Sequence, residues 1–176
     1  MKKKVSQSEI LKDTISVLEY TGRSNKRFIG GVDPDVKKPG FAVWDQQLKE
    51  WAAYGSVAFE KLADSFSDFP KEDTTIYVEA GWMNKITNFH GVSGYAAKGI
   101  AMRVGQNHAA SKIIASELRS LGFEVVDVKP LFKGRLKGKN GWTQQGREHI
   151  EQVTGITSRI NDEVRDALYI VVNKTK

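Results

Sequence analysis

Three acidic residues stand where apolar segments begin or end. Asp33 follows Phe28-Ile-Gly-Gly-Val32, and Glu79 follows Thr75-Ile-Tyr-Val78. Asp166 opens the apolar stretch Ala167-Leu-Tyr-Ile-Val-Val172, with Glu163 three and Asp162 four residues before it. A carboxylate at the edge of a hydrophobic element is costly to bury unless it is paired or bound to a metal. Taken singly, Asp33 and Glu79 read better as turn caps and only together match a site reading, and acids at the start of a helix complement its dipole. Three separate segments ending in the same chemistry favour a site. The chain has no cysteine and three histidines, at positions 90, 108 and 149. Oxygen ligands then suit Mg²⁺, or Mn²⁺ as its substitute, better than zinc. Four carboxylates can hold two such ions about 4 Å apart, one activating a water and the other stabilising the leaving oxygen of a phosphodiester. Glu163 and Asp162 compete for the fourth place.

These acids need elements to position them. Residues 27–33 read as a strand, and the two prolines and glycine of 34–40 force a turn. Residues 41–44 and 50–57 return as further strands, making an antiparallel meander. A helix is expected over 58–68, and 74–79 is a fourth, β-branched and aromatic strand. A long helix runs from about Gln106 to Leu121, with Ala110, Ile113, Ile114, Leu118 and Leu121 on one stripe and Gly122 ending it. Residues 123–128 form a fifth strand, and helical patterns follow near 143–153 and 161–173. The reading is an α/β protein with a mixed five-stranded sheet flanked by helices in three layers. Its order, β-β-β-α-β-α-β-α, is that of the ribonuclease H-like fold.

The 176 residues suit one domain with an appendage: a basic extension over 1–27 with a short helix at 8–20, and a main domain over 28–176. The formal net charge is +6, unevenly placed. Residues 1–27 carry seven Lys/Arg against three acids, and residues 129–140 carry five Lys/Arg and no acid. Two basic segments suit a polyphosphate partner, and equally suit a solubilising tail and a solvated loop. No apolar run is long enough to span a membrane, and Ser6, Gln7, Ser8 and Glu9 interrupt anything like a signal peptide. A cytoplasmic protein, in a phage-infected or bacterial cell or another reducing compartment, is expected.

The sequence resembles the Holliday-junction resolvases of the RuvC type, within the ribonuclease H-like superfamily, and in look its phage and other short members. The matching pieces are Gly30-Gly-Val-Asp33-Pro34, Val78-Glu79, Gly105-Gln106 at the long helix and Arg165-Asp166-Ala167-Leu168, over roughly 27–173. Asp35 departs from the glycine usual after Asp-Pro. The resemblance implies Asp33, Glu79 and Asp166 as catalytic metal ligands, with Glu163 as the fourth and Asp162 as its fallback. It implies two ions per active site and a homodimer that makes paired nicks in a four-way DNA junction. Ala109, Ala110, Ala115 and Ser116 on the long helix are a candidate dimer surface, or simply the face turned to the sheet. The resemblance also places Trp82, with Phe89, His90 and Tyr95 behind it, where an aromatic stacks on an unpaired base. Lys85, Lys98 and Arg103 are candidates for phosphate contact there. In the basic loop Lys129, Lys133, Arg135, Lys137 and Lys139 are candidates for backbone grip; one of them or Arg147 is the candidate for the scissile phosphate. Two rivals stand beside this reading: a nuclease of the same fold acting on flaps, forks or RNA–DNA hybrids, and a nucleic-acid-binding module without catalysis.

Overall fold

A computed structural model describes residues 24–84 and 94–175. The expected helix at 8–20 and candidates Lys85, Phe89 and His90 lie outside the described residues, as does the side chain of Tyr95. The sheet is built from β1 (Phe28–Asp33), β2 (Gly40–Asp45), β3 (Glu50–Ser56), β4 (Thr74–Glu79) and β5 (Glu124–Val128). Its order is β3-β2-β1-β4-β5. β1 pairs antiparallel with β2 and parallel with β4, and β4 pairs parallel with β5. The mixed sheet read from the sequence is therefore present, strand for strand.

The first strand is central, and its alternation sets two cores. Phe28 and Val32 point to one side with Val43, Ile76, Val78, Ile114 and Leu118. Ile29 points to the other with Ala42, Tyr77, Val128, Leu168 and Ile170. The first side is covered by helix α1 (Gly94–Ser120), the second by α2 (Gln144–Thr154) and α3 (Asp162–Thr175). That gives three layers. Among the described residues no helix is long and apolar enough to cross a membrane.

Three local readings are corrected. The helix expected over 58–68 is instead a pair of 3₁₀ turns, Phe59–Lys61 and Ala63–Phe66. Its amides bond three residues back, as Lys61 N to Ala58 O and Ser67 N to Asp64 O. Asp64, Ser65, Ser67 and Asp68 are poor helix-interior residues, and the Ser65 and Ser67 hydroxyls take the carbonyls of Lys61 and Asp64. Phe66 is still driven inward to full burial. Second, α1 begins at Gly94, well before Gln106. Its first turns are mostly exposed, so no apolar stripe marks them, and Gly99 and Gly105 read as breaks. Third, the stripe on α1 is narrower than expected. Ala110, Ile114, Ala115 and Leu118 are buried against the sheet, whereas Ile113 and Leu121 are exposed. Ala109 and Ser116 are exposed too, so the small-residue face is split between sheet and solvent.

The basic segment is more ordered than a plain loop. It holds a 3₁₀ turn at Gly134–Leu136 and a small hairpin, β6 (Lys137–Gly138) with β7 (Gly141–Trp142). The turn closes through Gly141 at φ 100°. Trp142 is buried and meets Tyr169 of α3 edge-on at 5.7 Å. Basic residues therefore ride on a hairpin whose foot is set in the core.

Candidate active site

Two acids leave the sheet side by side. Val32 and Val78 are register partners on parallel β1 and β4, and Asp33 and Glu79 come next on each strand. Period-two alternation puts both on the α3 side. The third acid arrives because α3 lies close against β1 and β2. A Cβ at Gly31 would overlap the Ala167 carbonyl, and one at Gly40 would overlap the backbone of Glu163. These two glycines admit the helix. Asn161 caps it, its Oδ1 accepting from Val164 N at 3.0 Å, and Asp166 is buried one turn in at 2% exposure.

The three acids meet in a cleft of about 490 Å³. Asp35, Asn107, His108 and Glu163 also line it. Lys133 enters from the segment after β5, with Nζ 2.8 Å from Asp166 Oδ1 and 3.4 Å from Glu79 Oε2. Lys137, on the hairpin, bonds the other oxygen of Asp166 at 2.5 Å. Burial alone would lower the Lys133 ammonium. The charges of Glu79 and Asp166 outweigh it and hold the group above its ordinary value. The Asp33 carboxyl is pushed well above the usual carboxylate range, first by burial and then by the charges of Asp166 and Glu79; Lys133 and Lys137 partly offset this.

The donor chemistry suits a hard divalent cation. All the acids offer oxygen, they repel one another at Asp33, and Asp166 Oδ1 is buried without a hydrogen bond. Its contact with Lys133 is one of charge and distance, not of aligned hydrogen-bond geometry. As they stand, however, no three His, Asp or Glu side chains among the described residues are grouped to hold one ion. Two lysine ammonium groups stand against the acids instead. Closing the acids on a metal requires these lysines to turn aside.

The remaining candidates divide. Asp162 accepts from Trp142 N at 3.1 Å and pairs with Arg165 at 2.9 Å, so it ties the hairpin to α3. Glu163 lines the cleft with no hydrogen bond or ion pair among the described residues. Asp35 Oδ1 accepts from Lys37 N and Lys38 N, which caps the turn after β1. Trp82 is half-buried in a 3₁₀ turn after β4, with Lys112 Nζ 5.3 Å from its ring. Lys98 and Arg103 lie on exposed turns of α1. Lys129, Arg135 and Lys139 are exposed on the basic segment, and Arg147 is exposed on α2 outside the cleft.

Sequence reasoning placed Lys133 and Lys137 on a generic DNA-gripping loop and missed that they reach the acids. The hairpin that delivers Lys137 is too short to show a strand pattern. It also missed His108 and Asn107, which reach the cleft from the exposed half of α1.

No family model matches the sequence, and no curated protein matches it. Solved structures do. Thermus thermophilus RuvC in complex with a Holliday junction substrate is 16% identical, over 82% of this chain and 90% of that chain, with a TM-score of 0.51. Thermus thermophilus RuvC alone gives 17%, 82%, 91% and 0.49 for the same measures. The fowlpox virus Holliday junction resolvase gives 14%, 84%, 97% and 0.44. The structural likeness thus agrees with the resemblance seen in the sequence, and the chain has the ribonuclease H-like fold of Thermus thermophilus RuvC.

Proposed function

We propose that the protein is a divalent-metal-dependent, structure-selective endodeoxyribonuclease that resolves four-way DNA junctions. The observation that carries this is the meeting of Asp33, Glu79 and Asp166, from β1, β4 and α3, in one cleft beside a basic hairpin. Asp33, Glu79 and Asp166 would hold Mg²⁺, with Glu163 as the fourth ligand, because Asp162 is committed to Trp142 and Arg165. When bound, Mg²⁺ or Mn²⁺ supplies an activated water and charge stabilisation at the leaving oxygen. Lys133 and Lys137, once turned from Asp166, are placed to meet the phosphate being cut. Exposed Lys129, Arg135 and Lys139 grip neighbouring phosphates, which positions the strand without reading its sequence. A homodimer would present two such clefts to a two-fold symmetric junction.

The test is a panel of a four-way junction, a flap, a fork and an RNA–DNA hybrid, each incubated with Mg²⁺ and with EDTA. The expected result is Mg²⁺-dependent paired nicks in the junction. Cleavage of the hybrid alone would overturn the resolvase assignment, and binding without cleavage of any substrate would leave a non-catalytic module.

A further inference from the structure

Phe132 is 92% exposed, whereas no other phenylalanine, tyrosine or tryptophan with a described side chain exceeds the 39% of Tyr54. Its exposure is enforced by its neighbours. Leu131 packs against the core beneath α2 and α3, and Lys133 is drawn to Glu79 and Asp166. With the residue on either side anchored inward, the ring of Phe132 is left in solvent. Gly134 follows at φ 49°, and a Cβ on it would stand 3.4 Å from Phe132 Cε1, so the ring lies over that glycine. Leaving a side chain of this size in water forgoes the hydrophobic gain of burying it.

The surroundings say what covers it. A protein partner would find a contiguous apolar patch useful, and here the ring's exposed neighbours along the chain are Lys129, Gly134 and Arg135. A flat apolar ring among cations suits a ligand with flat π-faces on a polyanionic backbone. Trp82 is less available, being half-buried beneath Lys112. We infer that Phe132 is a stacking platform for an unpaired or splayed nucleobase of branched DNA, set one residue from the cation that enters the cleft. This rests on the proposed function and adds the residue that senses the branch.

The full chain and its F132A, F132L and F132W variants would be titrated in EDTA with a four-way junction and with linear duplex of the same arm sequence. A second junction carries 2-aminopurine at the branch point. F132A should lose affinity for the junction by about 5- to 150-fold, the range expected from one stacked base. Duplex binding and melting temperature should stay the same. F132W should bind as wild type, F132L should not, and the 2-aminopurine signal that wild type alters should be unmoved by F132A. Equal losses on duplex and junction, no loss, or full rescue by leucine would overturn the platform. So would a fall in oligomeric mass for F132A, which would assign the ring to a second copy of the chain. Those results leave wild-type junction preference intact. A wild type that neither prefers nor cuts the junction would overturn the proposed function and this inference together.

Discussion

At the scale of single residues, the site is a balance of three carboxylates against two ammonium groups. Asp33 and Glu79 were legible because an acid after five or so apolar strand residues has few inexpensive structural reasons to be there. Asp166 was legible because it opens the apolar stretch of a helix, with Glu163 and Asp162 within one turn before it. Lys133 was legible only as a charge, since nothing in Leu131-Phe-Lys-Gly shows that this lysine turns in while its neighbour turns out. Its part can be tested through stability. Lys133 is 10% exposed at its side chain, and removing one partner of a buried ion pair costs about 3–5 kcal/mol. Lys133→Met should therefore lower the melting temperature in EDTA, and Mg²⁺ should restore more stability to the variant than it adds to wild type. Equal Mg²⁺ shifts would show that Lys133 and the ion do not compete. Asp166→Asn should reduce Mg²⁺-dependent cutting by more than about 100-fold, above the loss typical of a residue that only supports a ligand. Junction binding in EDTA should be unchanged or tighter, since a negative charge is removed. Loss of binding together with cutting would make Asp166 a structural residue.

At the scale of elements, the strands were legible and the helices less so. The three inner strands β1, β2 and β4 are buried on both faces and read as short apolar or β-branched runs, while the edge strand β3 alternates. The first half of α1 packs against little and carries no pattern, and the 58–68 segment has the right apolar residues with the wrong polar ones between them. What no pattern announces is close approach. Gly40 and Gly99 look alike in the sequence, yet a Cβ at Gly40 meets the Glu163 backbone while one at Gly99 meets nothing within 4 Å. Gly40→Ala should destabilise by about 1–3 kcal/mol and shift the start of α3, impairing cleavage. Gly99→Ala should stabilise by about 1 kcal/mol, as alanine does in an exposed helix. Urea unfolding of both variants reads the difference in sign. The end of β2 has its own device: Asp45 accepts from Arg27 Nε and Nη2 at 2.9 and 2.7 Å and from Gln47 N and Leu48 N at 2.8 and 3.0 Å. The Arg27 bonds lead in holding its carboxyl at about 2. Because the folded value lies below the ordinary one near 3.9, the stabilisation is complete at higher pH and is lost as pH falls from about 4 toward 2. The stability gap between wild type and Asp45→Asn should shrink over that range, and a constant gap would refute the linkage.

At the scale of the whole molecule, the charge is organised. The described part of the chain sets a cluster of carboxylates inside a cleft and a basic segment at its edge, so negative and positive charge lie side by side. Five Lys/Arg in residues 129–140 without an acid made the attraction visible in the sequence; that two of the five are turned inward toward Asp166 was not visible. On the proposed function, the three that make no contact with the acids, Lys129, Arg135 and Lys139, would set the salt dependence. Arg135→Ala with Lys139→Ala should weaken binding alike on all DNA sequences. It should also flatten the slope of log K against log salt by about 0.9 for each phosphate that is no longer neutralised. An unchanged slope would mean that this face is turned from the DNA.

The seating of α3 on Gly31 and Gly40 has a consequence for how the protein is made. The meander of β1, β2 and β3 joins neighbours in sequence and can form early, as local contacts do. Asp33 is then in place long before its partners. The cleft closes only when α3, more than a hundred residues later, docks on the middle of the sheet and brings Asp166. A chain still being synthesised, or cut short before that helix, has the basic segment and part of the acid set but not the complete acid cluster.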